Sequence, residues 1–99
     1  MNFLDQHIDL IKSLCQEHKV STLYAFGSVL TDKFNDNSDV DLIVDFKGVD
    51  LFDYADNYFD LKFSLEDKLQ RPVDLIEQKA LKNPYFIKAV EQNRKLIYG

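Results

Sequence analysis

No disulfide can form within this chain, because it holds a single cysteine, Cys15. That points to a reducing, cytoplasmic setting. No apolar run is long enough to span a membrane. The N-terminus, Met1-Asn2-Phe3-Leu4-Asp5-Gln6-His7, lacks the basic start and apolar centre of a signal peptide. There is no internal repeat, low-complexity tract or linker, and 99 residues suffice for one domain, 1–99, with one modest core. Basic charge is scarce as well: 12 Lys and Arg stand against 17 Asp and Glu, a net charge of −5. The acids crowd the middle, at Asp36, Asp39, Asp41, Asp45, Asp50, Asp53, Asp56 and Asp60. Free nucleic acid is held by a basic stripe, so direct docking on nucleic acid is not expected.

What is present alternates helical and strand patterns. Residues 2–18 carry Phe3, Leu4, Ile8, Leu10, Ile11, Leu14 and Cys15 on one arc at the helical period. His7 and His18 lie near that arc. With no other histidine and one cysteine, structural roles suit them better than zinc, and Cys15 reads as core. Residues 20–26 are continuously apolar, aromatic or β-branched, the pattern of a central strand covered on both faces. A short helix or turn follows over 28–33, then a polar turn at Asn35-Asp36-Asn37-Ser38. Residues 40–46 form a second strand.

A long helix is expected over 51–69, with Asp50 as its N-cap. Its apolar stripe is Leu51, Tyr54, Ala55, Tyr58, Leu61, Leu65 and Leu69, widened by Phe52, Phe59 and Phe63 to about half the circumference, where about 100° would do. Burial between a sheet and a second helix would explain that width, and so would a docking surface. Asp53, Asp56 and Asp60 read as solvated. Gln70-Arg71-Pro72 breaks the helix, and Val73-Asp74-Leu75-Ile76 is a third strand with proline at its entry. Asn83-Pro84 opens a last helix over 84–93 with Phe86, Ile87 and Val90 inward. Residues 94–98 close with a short edge strand. The fold class is α/β (α+β), a mixed sheet of three to four strands against helices.

The chemistry concentrates at two places. Side chains alternate along a strand, so Asp39 and Asp41 project to one side about 7 Å apart while Val40, Leu42 and Val44 take the other. Paired carboxylates repel unless a proton or a cation lies between them, and oxygen ligands suit Mg²⁺ or Mn²⁺. Upstream, Gly27 lets backbone approach a ligand, and the Ser28 hydroxyl with neighbouring N–H groups can hold a phosphate. Asp74 is a lone acid in an apolar strand. It faces water at an edge, or it joins the metal set that Asp39 and Asp41 begin, and beside the upstream motif the second reading is preferred.

Gly27-Ser28 followed after ten residues by Asp39-Val40-Asp41, with Asp74 on a later strand, resembles the minimal nucleotidyltransferases of the DNA polymerase beta superfamily. The resemblance covers nearly the whole chain. It implies two metal ions, with Asp39 and Asp41 bridging both and Asp74 completing the ion that binds an attacking hydroxyl. Ser28 would grip the β- and γ-phosphates of ATP. One departure stands out: many members carry arginine shortly after Gly-Ser, where this chain has Val29-Leu30-Thr31 and its first cation at Lys33. Lysine meets phosphate only as a point charge.

Small members of the family resemble the antitoxin half of toxin–antitoxin pairs whose toxin is an all-helical HEPN-domain ribonuclease, and some transfer AMP from ATP to a tyrosine of that toxin. The resemblance therefore implies a Mg²⁺-dependent protein adenylyltransferase. An antitoxin acting by stoichiometric contact alone is the alternative. A drug-modifying enzyme of the aminoglycoside type fits the motif but not the length.

Overall fold

The computed structural model describes residues 3–99. The element order is α1 (Phe3–Gln6), α2 (Ile8–Glu17), β1 (Val20–Phe26), a 3₁₀ turn (Gly27–Leu30), β2 (Val40–Phe46), α3 (Leu51–Leu69), β3 (Val73–Glu77), a second 3₁₀ turn (Gln78–Ala80), α4 (Pro84–Asn93) and β4 (Lys95–Tyr98). The strands form one mixed sheet in the order β3-β2-β1-β4. β1 pairs antiparallel with β2 and β4, and β2 pairs parallel with β3 across the α3 crossover.

Alternation along β2 divides the protein into two faces. Val40, Leu42, Val44 and Phe46 are buried against the helices, together with Leu23 and Ala25 of β1 and Val73 and Leu75 of β3. Leu4, Ile11, Leu14 and Cys15 of the first two helices and Leu61, Leu65 and Leu69 of α3 complete that core. Each fully buried leucine contributes about 1.5–3 kcal/mol of transfer free energy. Burial also pushes the Cys15 thiol up to about 12, so it stays protonated in the core. The opposite face carries Asp41, Ile43 and Asp45 of β2. Ile43 and Val90 of α4 are buried outside the main core.

Several local expectations change. The start of the 2–18 helix at Asn2 lies outside the described residues, and within them the helix is broken at His7. His7 has φ −119° and ψ 12°, and its Nδ1 meets Phe3 O at 2.9 Å. β1 is central, but only its Val20, Leu23 and Ala25 are buried; Thr22, Tyr24 and Phe26 are half-buried, because α4 covers little of their face. Asp50 stands at the N-cap of α3 with extended backbone, yet its side chain makes no capping bond.

The α3 stripe is buried only toward its C-terminal end. Leu51 and Phe52 are 89% and 97% exposed, Phe59 and Phe63 are about half exposed, and Ala55 is exposed too. Tyr54, Tyr58, Leu61 and Leu65 take the sheet-facing side of the helix, and the three phenylalanines lie off it, so burial does not account for them. Asp60 is not merely solvated: its Oδ2 lies 2.9 Å from Nε2 of buried His18, whose Nδ1 donates to Leu14 O at 2.7 Å. This contact and Asn57 Nδ2 donating to His18 O at 2.8 Å pin α3 to α2. Asn83 caps α4 as expected, accepting from the N–H groups of Tyr85 and Phe86, but Phe86 is 39% exposed rather than inward.

Candidate active site

The open face has its acids at one end. Asp41 sits inside β2, and the parallel register places it directly opposite Asp74 of β3. Neighbouring strands lie about 4.8 Å apart, so the two carboxylates share one patch. Asp39 stands one residue before β2 and is exposed. The 40–46 strand thus holds Asp41 by its ladder, and Asp39 by the loop that enters it.

Asp41 is partly shielded from water. Burial, then the charge of Asp74, then that of Asp39 raise its pKa above the ordinary carboxylate value. Asp41 therefore feels the charge of both neighbours. Among the described residues, no three His, Cys, Asp or Glu side chains stand as a group that could hold a metal ion without rearranging. The donor set is nonetheless hard oxygen on two adjacent strands, a combination that fits a divalent ion of the Mg²⁺ or Mn²⁺ kind.

Gly27 explains why the acids can gather there. It follows Phe26, which is paired with Asp41, and it has φ +76°. A Cβ at this position would come 2.6 Å from Asp41 Oδ2. Glycine is thus required by its backbone and by the carboxylate lying against it. The open side that a ligand was expected to use is first occupied by Asp41. Ser28 is half-buried in the 3₁₀ turn, and its carbonyl accepts from both the N–H and the hydroxyl of Thr31, each at 2.9 Å. Of the residues that follow Ser28, Val29 is buried in the core, and the first cation, Lys33, is exposed.

Sequence reading missed a cavity beside this patch. About 430 Å³ opens between the Gly27–Leu30 turn and α4, lined chiefly by Phe26, Gly27, Leu30, Phe86, Val90 and Asn93. That lies within the range of small-ligand pockets. Phe26 and Phe86 meet edge-on inside it, ring centres 6.0 Å apart. The only sequence signal was an aromatic at the strand end and another in α4, and nothing in the spacing joins them. Tyr58 was also missed as a neighbour of the acids. Its hydroxyl donates to Leu75 O, and its pKa is raised by burial, then by Glu77 and Asp74. The nearby Tyr54 donates to Glu77 Oε2 at 3.1 Å and is pushed up to about 12 by burial first. Both stay protonated as struts between α3 and β3.

Known proteins share this fold. Residues 9–99 match the family described as Polymerase beta, Nucleotidyltransferase. A candidate protein adenylyltransferase of Methanocaldococcus jannaschii is 37% identical over 87 residues, 88% of this chain and 84% of that one. The solved structure of a candidate minimal nucleotidyltransferase superposes with a TM-score of 0.74 at 31% identity, covering 96% of this chain and 95% of that one. A complex of a tri-AMPylated Shewanella oneidensis HEPN toxin with an MNT antitoxin contains a chain of the same fold, with a TM-score of 0.66 at 20% identity, over 96% of this chain and 71% of that one. By sequence and by fold, this chain belongs to the polymerase beta nucleotidyltransferase family.

Proposed function

We propose that this chain transfers AMP from ATP to a tyrosine hydroxyl of a helical HEPN-domain toxin, and so serves as its antitoxin. The observation that carries the reading is the Asp41–Asp74 register with Asp39 alongside, three carboxylates at one end of an open sheet face, the middle one shifted by the charges of the other two. The M. jannaschii relative's name and the AMPylated toxin of the S. oneidensis complex support the choice of AMP and of a protein acceptor.

Asp39, Asp41 and Asp74 would hold two Mg²⁺ ions, or Mn²⁺ in their place. When bound, such ions neutralise the triphosphate and favour attack at its α-phosphorus. Asp74 is exposed on the edge strand, where a protein acceptor can reach it, and it is placed to take the proton of the attacking hydroxyl. Gly27 leaves room for the Asp41 carboxylate. Ser28 offers its hydroxyl to the phosphates, and the cavity between Phe26 and Phe86 offers an apolar, aromatic wall to the nucleoside. The aromatic outer face of α3 offers the partner a surface, since Phe59 and Phe63 are stacked at 5.9 Å and half exposed.

The test supplies ATP labelled at the α-phosphate, Mg²⁺ and the helical protein encoded beside this chain. Label should pass to a tyrosine of that protein with the normal chain and not with an Asp39→Asn, Asp41→Asn double variant of unchanged circular dichroism. Transfer by the double variant would refute the reading. A second reading, neutralisation by contact alone, is favoured only by the exposed phenylalanines. It requires the double variant to neutralise fully, and Phe63→Glu to abolish the complex while the chain stays folded.

A further inference from the structure

The ladder that fixes Asp41 against Asp74 does not reach Asp39. Asp39 ends a loop, residues 31–39, that is largely exposed and braced mostly by its own short bonds. Asn35 N–H donates to Ser38 Oγ at 3.1 Å, Asn37 N–H to Asn35 Oδ1 at 2.9 Å and Ser38 N–H to Asn35 O at 3.0 Å. Thr31 at the start of the loop is held by Ser28 O, and among the described residues the hydrogen bonds that reach residues 35–39 from outside the loop come from Arg71. Its Nη1 donates to Asn35 O at 2.7 Å and to Ser38 O at 3.2 Å.

The guanidinium also lies over a pair of touching rings, 4.3 Å from the centre of Phe34 and 4.8 Å from that of Phe3. Its side chain is only 15% exposed. The third contact, to Asp36 at 3.6 Å, has a fully solvated partner and contributes little. Arg71 thus has two carbonyls and two ring faces as its fixed partners. It stands three residues before Asp74, and Ser38, whose carbonyl it holds, stands one residue before Asp39. Beside it, Val40 N–H donates to Pro72 O at 3.0 Å.

The geometry points to Arg71 as a positioning residue: it ties the entry of the strand that carries Asp74 to the loop that delivers Asp39, and so sets the spacing of the carboxylates. It does not act as a phosphate clamp in place of the arginine missing after Gly27-Ser28, because its donors face main-chain carbonyls. The inference rests on the proposed nucleotidyl transfer for its catalytic consequence, though not for its structural one. Lysine cannot reproduce the role, since an ammonium has no planar face to lay over the two rings while it donates to both carbonyls.

Arg71→Lys tests it with three readouts. Amide exchange at residues 35–39 should quicken about tenfold, as the loop loses its outside anchor. Mn²⁺ affinity should weaken about tenfold, and kcat for AMP transfer should fall by a similar factor with KM for ATP little changed, the scale expected when a group supporting metal ligands is lost. In Arg71→Ala, added guanidinium should restore slow exchange at residues 35–39 and added ammonium should not. Unchanged exchange at these residues and unchanged Mn²⁺ affinity in Arg71→Lys would overturn the inference. A normal chain that binds Mn²⁺ but transfers no AMP would refute the proposed reaction alone, and the exchange and affinity readouts would still decide the role of Arg71. A normal chain that binds no Mn²⁺ would overturn both.

Discussion

The two faces of β2 are built to opposite ends. Toward the helices, Val40, Leu42 and Val44 are at most 1% exposed and belong to the shared core. Toward the open side, the same seven residues present Asp41 and Asp45 around one buried isoleucine. Burial on the first face stabilises the fold. On the second face, crowding destabilises it, since Asp41 is held where burial and two like charges disfavour its ionised form. A strand that alternates in this way lets a small chain carry a strained cluster, because the opposing face holds the backbone still. The difference between the faces separates the groups that make the fold from those proposed to do the chemistry.

The largest effect should come from the open face and touch function only. The Asp39→Asn, Asp41→Asn double variant should lower AMP transfer by about three orders of magnitude or more in a labelled-ATP assay, while retaining its helix content. The core face should behave in the reverse manner. Leu65→Ala should cost about 2–5 kcal/mol in urea unfolding, as a fully buried leucine leaves a cavity. Gly27→Ala lies where the faces meet the turn, and should cost both. The positive φ and the 2.6 Å approach to Asp41 Oδ2 predict a loss of about 1 kcal/mol or more and displacement of that carboxylate. In an Asp41→Ser background the collision is relieved and part of that loss should vanish, which a double-mutant cycle would measure.

The smallest effect is the most diagnostic of the strain. A carboxyl whose folded pKa is raised binds its proton more tightly in the folded state. Its favourable contribution is present below its unfolded pKa and is lost as pH rises through the folded one. Asp41→Asn should therefore raise the melting temperature at neutral pH, by about 2–4 °C once screening of this partly solvated group is allowed for. The gain should fade as the pH falls through the carboxylate range. A loss at neutral pH would mean that the Asp41 carboxylate is stabilising the fold.

Much of this was legible in the chain itself. Each strand, α3 and α4 lie within about a residue or two of where periodicity and turn chemistry placed them, the 2–18 helix divides at His7, and Asn83 caps as its spacing with Pro84 implies. The opposition of Asp41 and Asp74 was half visible: alternation gave the face of each acid, but only the parallel register brings them together. What periodicity could not show was where packing stops. The α3 stripe reads evenly from Leu51 to Leu69, yet the side chains that meet the sheet run from Tyr54 to Leu69, leaving Leu51 and Phe52 bare. Arg71 read as part of a helix break, because its partners are main-chain carbonyls 33 and 36 residues away, which no side-chain pattern announces. The cavity between Phe26 and Phe86 depends in the same way on how α4 lies across β1.

The most direct test is the melting temperature of the normal chain and of Asp41→Asn, followed as Mg²⁺ is added at neutral pH. Without Mg²⁺, Asp41→Asn should melt higher. With Mg²⁺, the normal chain should climb, by about 1.4 kcal/mol of stability at ten times its Kd, while Asp41→Asn stays level. The two curves should cross, because one group supplies both the strain and the binding. Parallel curves, or a variant that melts lower throughout, would show that the open-face carboxylates are neither strained against one another nor joined by a metal.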